Sequence, residues 1–173
     1  MINWGILGTG IIARVFATSM KDSTGSCLKV VASRSIEKSQ KFAERYNCEA
    51  LEGYKNLLAD KEVDAIYIAT PHNSHFELAL DSLNAKKSVL CEKPITINST
   101  EAMVLIEAAR NNRVMLMEAF MYRAHPQTHK IHELVEKEFK KESLTIEASF
   151  GFTAEVPDEH RLVNPELGGG SIM

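Results

Sequence analysis

Short apolar runs alternate along the chain with stretches whose apolar residues recur at helical spacing. Ile2–Leu7 is a first apolar run, and Ile11, Ile12, Val15, Phe16 and Met20 then fall on one face of a helix ending near Lys21. Leu28–Ser33 is a second β-branched run, followed by a helical stretch over Ser35–Tyr46 with Phe42, Ala43 and Tyr46 on one side. Glu49–Leu51 reads as a short strand, Tyr54–Asp60 as a short helix, and Asp64–Ala69 as a buried strand. The next helix carries Phe76, Ala79, Leu80 and Leu83, with Ser74 and Glu77 placed as a capping box. After the strand Ser88–Cys91, Asn98 and Glu101 offer a similar cap to a helix bearing Leu105, Ala108 and Ala109, and Val114–Met117 predicts one more strand. Strands alternating with helices pair in parallel through right-handed crossovers. The fold class is therefore α/β, with a doubly wound parallel sheet over residues 1–120.

From residue 121 the pattern changes. His125–Lys141 predicts a polar, charged helix, and Leu144–Thr153 alternates as a strand with Leu144, Ile146, Ala148, Phe150 and Phe152 on one face. One amphipathic strand cannot bury its apolar face alone. Residues 121–173 therefore read as the beginning of an incomplete second domain, and the expectation is poor solubility for this chain in isolation.

Composition narrows the class. Apolar residues make up 45% and charged residues 25%, as in ordinary soluble domains, and the net charge of −3 disfavours nucleic acid as a partner. No apolar run approaches the roughly 20 residues of a membrane span, and Met1 leads directly into the first strand without a basic or cleavable segment. Cys27, Cys48 and Cys91 are odd in number and set among apolar residues. Buried thiols in a reducing, cytoplasmic setting fit that pattern better than a disulfide framework.

Gly8-Thr9-Gly10-Ile11-Ile12-Ala13 is a G-x-G-x-x-A motif between the first strand and first helix. Gly8 permits the tight turn, Gly10 lets backbone approach a pyrophosphate at the helix N-terminus, and Ala13 keeps helix and sheet close. An Asp or Glu usually meets a free ribose 2′-hydroxyl at the end of the second strand. This chain has Ser33-Arg34-Ser35 there, where Arg34 can pair with a 2′-phosphate and the two hydroxyls can hydrogen-bond it. The cofactor expectation is NADP, with NAD second. The missing acid also counts against a methyltransferase. Thr70, Pro71, His72 and His75 follow the fourth strand, at the ligand-binding edge of such a sheet. The two histidines can touch a ribose or nicotinamide there, and His75 serves equally well as a first-turn helix residue.

Glu92-Lys93-Pro94 ends the strand Ser88–Cys91 at that same edge. Pro94 stops the ladder. Lys93 can exchange a proton with a substrate hydroxyl or carbonyl, provided burial or a nearby cation favours its neutral form. Glu92 can orient Lys93 or bind the cofactor. His125, His129 and His132 share a helix face, but no thiolate or H-E-x-x-H pattern accompanies them, and no metal site is expected.

GTGIIA, ATPHNSH, CEKP, EAFMYRAHPQ and NPELGGGS, in that order, resemble the glucose–fructose oxidoreductase/inositol dehydrogenase (Gfo/Idh/MocA) family, and within it the dihydrodiol dehydrogenase and NADP-dependent xylose dehydrogenase group. The resemblance covers essentially the whole chain. It implies a Rossmann domain followed by an α/β open-sheet domain for substrate and oligomer contacts, with a homo-oligomeric parent enzyme. It implies that Lys93 is catalytic and that Tyr122 and Arg123 line the nicotinamide and substrate pocket. The residue that partners the lysine in relatives comes after the glycine run, so the chain is expected to be a fragment ending before it. The expected activity is hydride transfer between a nicotinamide and a sugar, cyclic polyol or diol. The alternative is a non-catalytic dinucleotide-binding module.

Overall fold

The structure, a computed structural model, describes residues 1–139 and, beyond them, residues 143, 145, 147, 149, 151, 153, 155–157, 163 and 164. The alternating face from Leu144 to Phe152 and the Gly168–Gly170 run lie outside the described residues.

Six strands form one parallel sheet: β1 (Ile2–Leu7), β2 (Ser26–Ser33), β3 (Glu49–Glu52), β4 (Ala65–Ile68), β5 (Ser88–Cys91) and β6 (Leu116–Glu118). Their order across the sheet is β3-β2-β1-β4-β5-β6, so the order reverses between β1 and β4. Ligands bind such sheets at that reversal, beyond the carboxyl ends of the strands. The connecting helices are α1 (Ile11–Ser19), α2 (Ile36–Tyr46), α3 (Tyr54–Leu58), α4 (His75–Asn84) and α5 (Ser99–Asn112). A further helix, α6 (Pro126–Glu138), follows the sheet and buries none of its residues.

One face of the sheet is fully covered. Leu7, Val30, Ile66, Ile68, Val89 and Cys91 pack there with Leu57, Leu83, Leu105 and Ala109 from α3, α4 and α5. On the other face Ile6, Val31 and Tyr67 pack under α1 and α2, against Ala13, Ala17, Phe42 and Ala43. Across β4, β5 and β6 that second face continues through the aligned row Tyr67, Leu90, Met117. Here the cover thins: Met117 is 48% and Met115 is 70% exposed.

The caps explain where the helices begin, and one corrects an expectation. Asn98 accepts from the Glu101 amide at 2.9 Å, and Ser35 accepts from the Lys38 amide at 3.4 Å. Ser74, by contrast, makes no capping bond to α4. It sits in helical conformation at the end of a 3-10 turn over His72–Ser74, so its hydroxyl turns back to the Pro71 carbonyl and Thr70 Oγ1 at 2.7 and 2.8 Å. The charged helix starts at Pro126, one residue later than the spacing predicts, and ends at Glu138, three residues earlier. Among the described residues no helix is long and apolar enough to cross a membrane.

Candidate functional site

The carboxyl edge of the sheet is laced by backbone hydrogen bonds that carry the ladder one residue past each strand. The Gly8 amide donates to the Ala32 carbonyl, Ala69 to Leu7, Glu92 to Ile68, and Ala119 to Cys91, at 2.8–3.0 Å. Gly8 and Glu92 therefore leave the same rim, on strands separated only by β4. Adjacent strands lie about 4.8 Å apart, so the two strand ends are on the order of 10 Å apart.

Gly8 has φ +106°, a conformation that disfavours side chains, and a Cβ there would stand 2.7 Å from the Ala69 carbonyl oxygen. Gly10 differs. A Cβ on it would meet nothing nearer than that same oxygen at 4.0 Å, so packing within the chain does not require a glycine there. What the bare Gly10 leaves open is the approach to the first turn of α1, which has no side-chain cap. That is the cradle a pyrophosphate needs. The residues present fit a dinucleotide.

Beside this turn lies a cleft of about 370 Å³, lined by Gly8, Thr9, Gly10, Ser33, Arg34, Ser35, Lys38, Tyr54, Thr70 and Pro71. Arg34 and Lys38 are both exposed. The Ser33 hydroxyl is buried and donates to the Ser35 carbonyl at 2.7 Å, while Ser39 donates to it at 3.0 Å. The Ser35 hydroxyl caps Lys38 and donates to Glu37 at 2.5 Å. These contacts shape the loop and correct the expectation that both hydroxyls face a phosphate. Lys38 was missed by the sequence reading. Its signal is a cation in the first turn of the helix that directly follows Ser33-Arg34-Ser35.

Glu92 faces the other way. Its carboxylate accepts from the Tyr67 hydroxyl at 2.7 Å and lines a second, apolar cleft of about 310 Å³ with Ile12, Phe16, Leu90, Met117 and Phe120. Orientation of Lys93 by Glu92 is thus not what this structure shows. Burial, then the Glu92 bond, pushes the Tyr67 phenol far above its ordinary range. Lys93 itself is exposed. Its ammonium makes no hydrogen bond or ion pair among the described residues, and of the two environments expected for it, burial or a nearby cation, burial is not found.

Other expected site residues separate. Thr70 and Pro71 line the glycine cleft. His72 is buried in the following turn. His75 is 1% exposed, with Nδ1 2.7 Å from the Pro94 carbonyl and Nε2 2.9 Å from the Thr70 carbonyl. Both nitrogens face protein, which corrects its assignment to the cofactor. Ile11 is 79% exposed at the start of α1, outside both clefts. Tyr122 and Arg123 are exposed on a 3-10 turn over Met121–Ala124 and line neither cleft. His125 caps α6, accepting from the Gln127 amide at 3.1 Å, and no group of three metal-binding side chains occurs among the described residues.

Residues 2–120 match the model of an oxidoreductase family with an NAD-binding Rossmann fold, Gfo/Idh/MocA. The chain is 32% identical to a D-xylose 1-dehydrogenase (NADP(+)) from Hypocrea jecorina, covering 99% of this chain and 49% of that protein. It is 36% identical to a trans-1,2-dihydrobenzene-1,2-diol dehydrogenase from Xenopus laevis, covering 98% of this chain and 52% of that one. The crystal structure of a 3-ketoreductase from Actinomadura kijaniata with NADP superposes with a TM-score of 0.75 at 33% identity, over 80% of this chain and 44% of the other. The chain thus spans about half the length of these relatives. With the glycine turn, the strand order and the matched region in agreement, the chain belongs to the Gfo/Idh/MocA oxidoreductase family.

Proposed function

We propose that this chain is the dinucleotide-binding part of an NADP-dependent oxidoreductase acting on a sugar, cyclic polyol or diol. When bound, the nicotinamide supplies or accepts the hydride. The observation that carries the reading is the common rim: the Gly8–Gly10 turn and Lys93 leave strands separated by one neighbour, at the point where strand order reverses. The names of the relatives support the cofactor and the substrate class.

In this reading the amides after Gly10 hold the pyrophosphate, and Arg34 with Lys38 pairs the ribose 2′-phosphate. Thr9, Thr70 and Pro71 wall the cleft, and Ile12 with Glu92 borders the nicotinamide end. Lys93 exchanges the proton with the substrate oxygen. The substrate contacts, including those assigned to Tyr122 and Arg123, come from residues 121 onward, which begin a second domain that also carries the homo-oligomer interface. The setting is the cytoplasm.

Fluorescence titration with NADPH and NADH, followed by a turnover screen over sugars, polyols and diols, tests this. Tighter binding of NADPH with turnover is expected. NADPH binding without turnover assigns the chain as a binding module, tighter NADH binding overturns the phosphate assignment, and binding of neither removes the reading.

A further inference from the structure

His75 opens α4 and is 1% exposed. Its two ring nitrogens reach two different strand-end loops. Thr70, whose carbonyl lies 2.9 Å from Nε2, follows β4 and walls the glycine cleft. Pro94, whose carbonyl lies 2.7 Å from Nδ1, directly follows Lys93. A carbonyl oxygen only accepts, so the ring nitrogen that carries the proton donates to the carbonyl it faces, and the tautomer decides which one that is. Losing such a ring leaves a partly buried carbonyl without its donor.

The turn carrying Lys93 is held at three points. The Glu92 amide donates to the Ile68 carbonyl at 3.0 Å, the Ile95 amide donates to the Glu118 carboxylate at 2.9 Å, and His75 grips the carbonyl between them. The backbone on both sides of Lys93 is thereby fixed, while its side chain is exposed. A fixed base carrying a free amine is the arrangement a proton-transfer group needs, since misplacement by about 1 Å can cost on the order of 100-fold in rate. Of the three holds, only His75 also reaches a residue that walls the cofactor cleft.

We propose that His75 is a positioning residue: it staples the Lys93 turn to the Thr70 loop and so sets where the lysine amine stands over the cofactor cleft. This rests on the reading of Lys93 as the proton-handling group.

Two measurements test it. In the unmutated chain, ¹⁵N NMR of the histidine rings is expected to show a His75 ring proton that is hydrogen-bonded and slow to exchange with solvent. A His75 ring proton that exchanges as fast as those of the exposed His129 and His132 overturns the staple. Lysines tagged by ¹³C reductive methylation, with Lys93→Arg assigning the signal, then report the amine's surroundings. NADPH is expected to shift the Lys93 signal in the unmutated chain. In His75→Phe that shift is expected to be lost while NADPH affinity changes less than about threefold. A variant whose Lys93 signal responds as in the unmutated chain overturns the proposal. If the unmutated chain fails to bind NADPH, the cofactor reading falls and the ring signals alone decide the staple. They decide it also if His75→Phe does not fold.

Discussion

The Tyr67 hydroxyl donates a 2.7 Å hydrogen bond to the Glu92 carboxylate, and the same ring stacks on Phe16 with centroids 4.1 Å apart. Glu92 is thereby tied to the sheet and to α1. Tyr67→Phe keeps the stack and removes the donor, leaving a half-buried carboxylate against an apolar cleft. The expected cost is about 1–3 kcal/mol. Glu92→Gln retains an acceptor and is expected to cost less. Urea unfolding of the two variants checks the order, and equal losses would mean that the hydrogen bond is not the source.

The two glycines of the turn separate folding from binding. Gly8→Ala forces a side chain into a positive-φ conformation and against a backbone oxygen that cannot move aside. The expected loss is about 1–3 kcal/mol or more. Gly10→Ala meets no neighbour and keeps a φ of −69°, so its stability cost is expected to stay below about 1 kcal/mol. Its NADPH affinity is expected to fall more than tenfold, because the methyl stands where the pyrophosphate approaches. Thermal melts and cofactor titrations on the same two proteins make the comparison. A Gly10→Ala variant that binds NADPH normally would place the cofactor elsewhere.

Much of this was legible in the chain because the strands are short apolar runs bounded by turn residues. Ser88–Cys91 matches residue for residue, and Glu49–Leu51 grows by only one residue, to Glu52. Boundaries slipped where apolar character outlasts the ladder: Val114 and Met115 read as strand, but the paired segment is Leu116–Glu118. The glycine turn was readable because each glycine has a distinct steric reason. His75 was misread because the sequence places it at the ligand edge without saying which way the ring turns. The roles of Ser33 and Ser74 were misread for a related reason. A hydroxyl can bond its own loop as readily as a ligand or a helix end, and only the backbone conformation decides.

The phosphate assignment predicts a specificity switch and a kinetic one. Arg34→Ala is expected to weaken NADPH by about 10- to 100-fold, the size of a lost charge-assisted hydrogen bond, and to leave NADH unchanged. Next to the glycine cleft, and sharing Thr9, Gly10 and Lys38 with it, lies a third cleft bordered by Arg14, Lys41 and Arg45. These three do not line the cleft assigned to the cofactor, yet they place positive charge at its mouth on a chain whose net charge is −3. Replacing all three by Gln is expected to slow NADPH association at low salt and leave dissociation unchanged. Stopped-flow traces at two ionic strengths separate the cases. A faster dissociation rate would mean that these residues touch the cofactor directly.

Stability is expected to fall on the alkaline side. Burial, with a smaller contribution from Glu49, pushes the Cys48 thiol from 9.0 up to about 11. Burial, then Glu92 and Glu118, pushes Cys91 up further. Between about pH 9 and 11 the unfolded chain has released a thiol proton that the folded chain still holds, so the folded state binds more protons. Unfolding free energy therefore declines as pH rises through that window, and is insensitive to these groups below it. The urea midpoint should be steady from about pH 7 to 8 and should drop between about pH 9 and 10.5. Cys48→Ala removes one of the groups responsible and is expected to flatten the drop. Parallel declines in the two proteins would show that the Cys48 thiol does not contribute, and would leave the alkaline loss to Cys91 and the buried Tyr67.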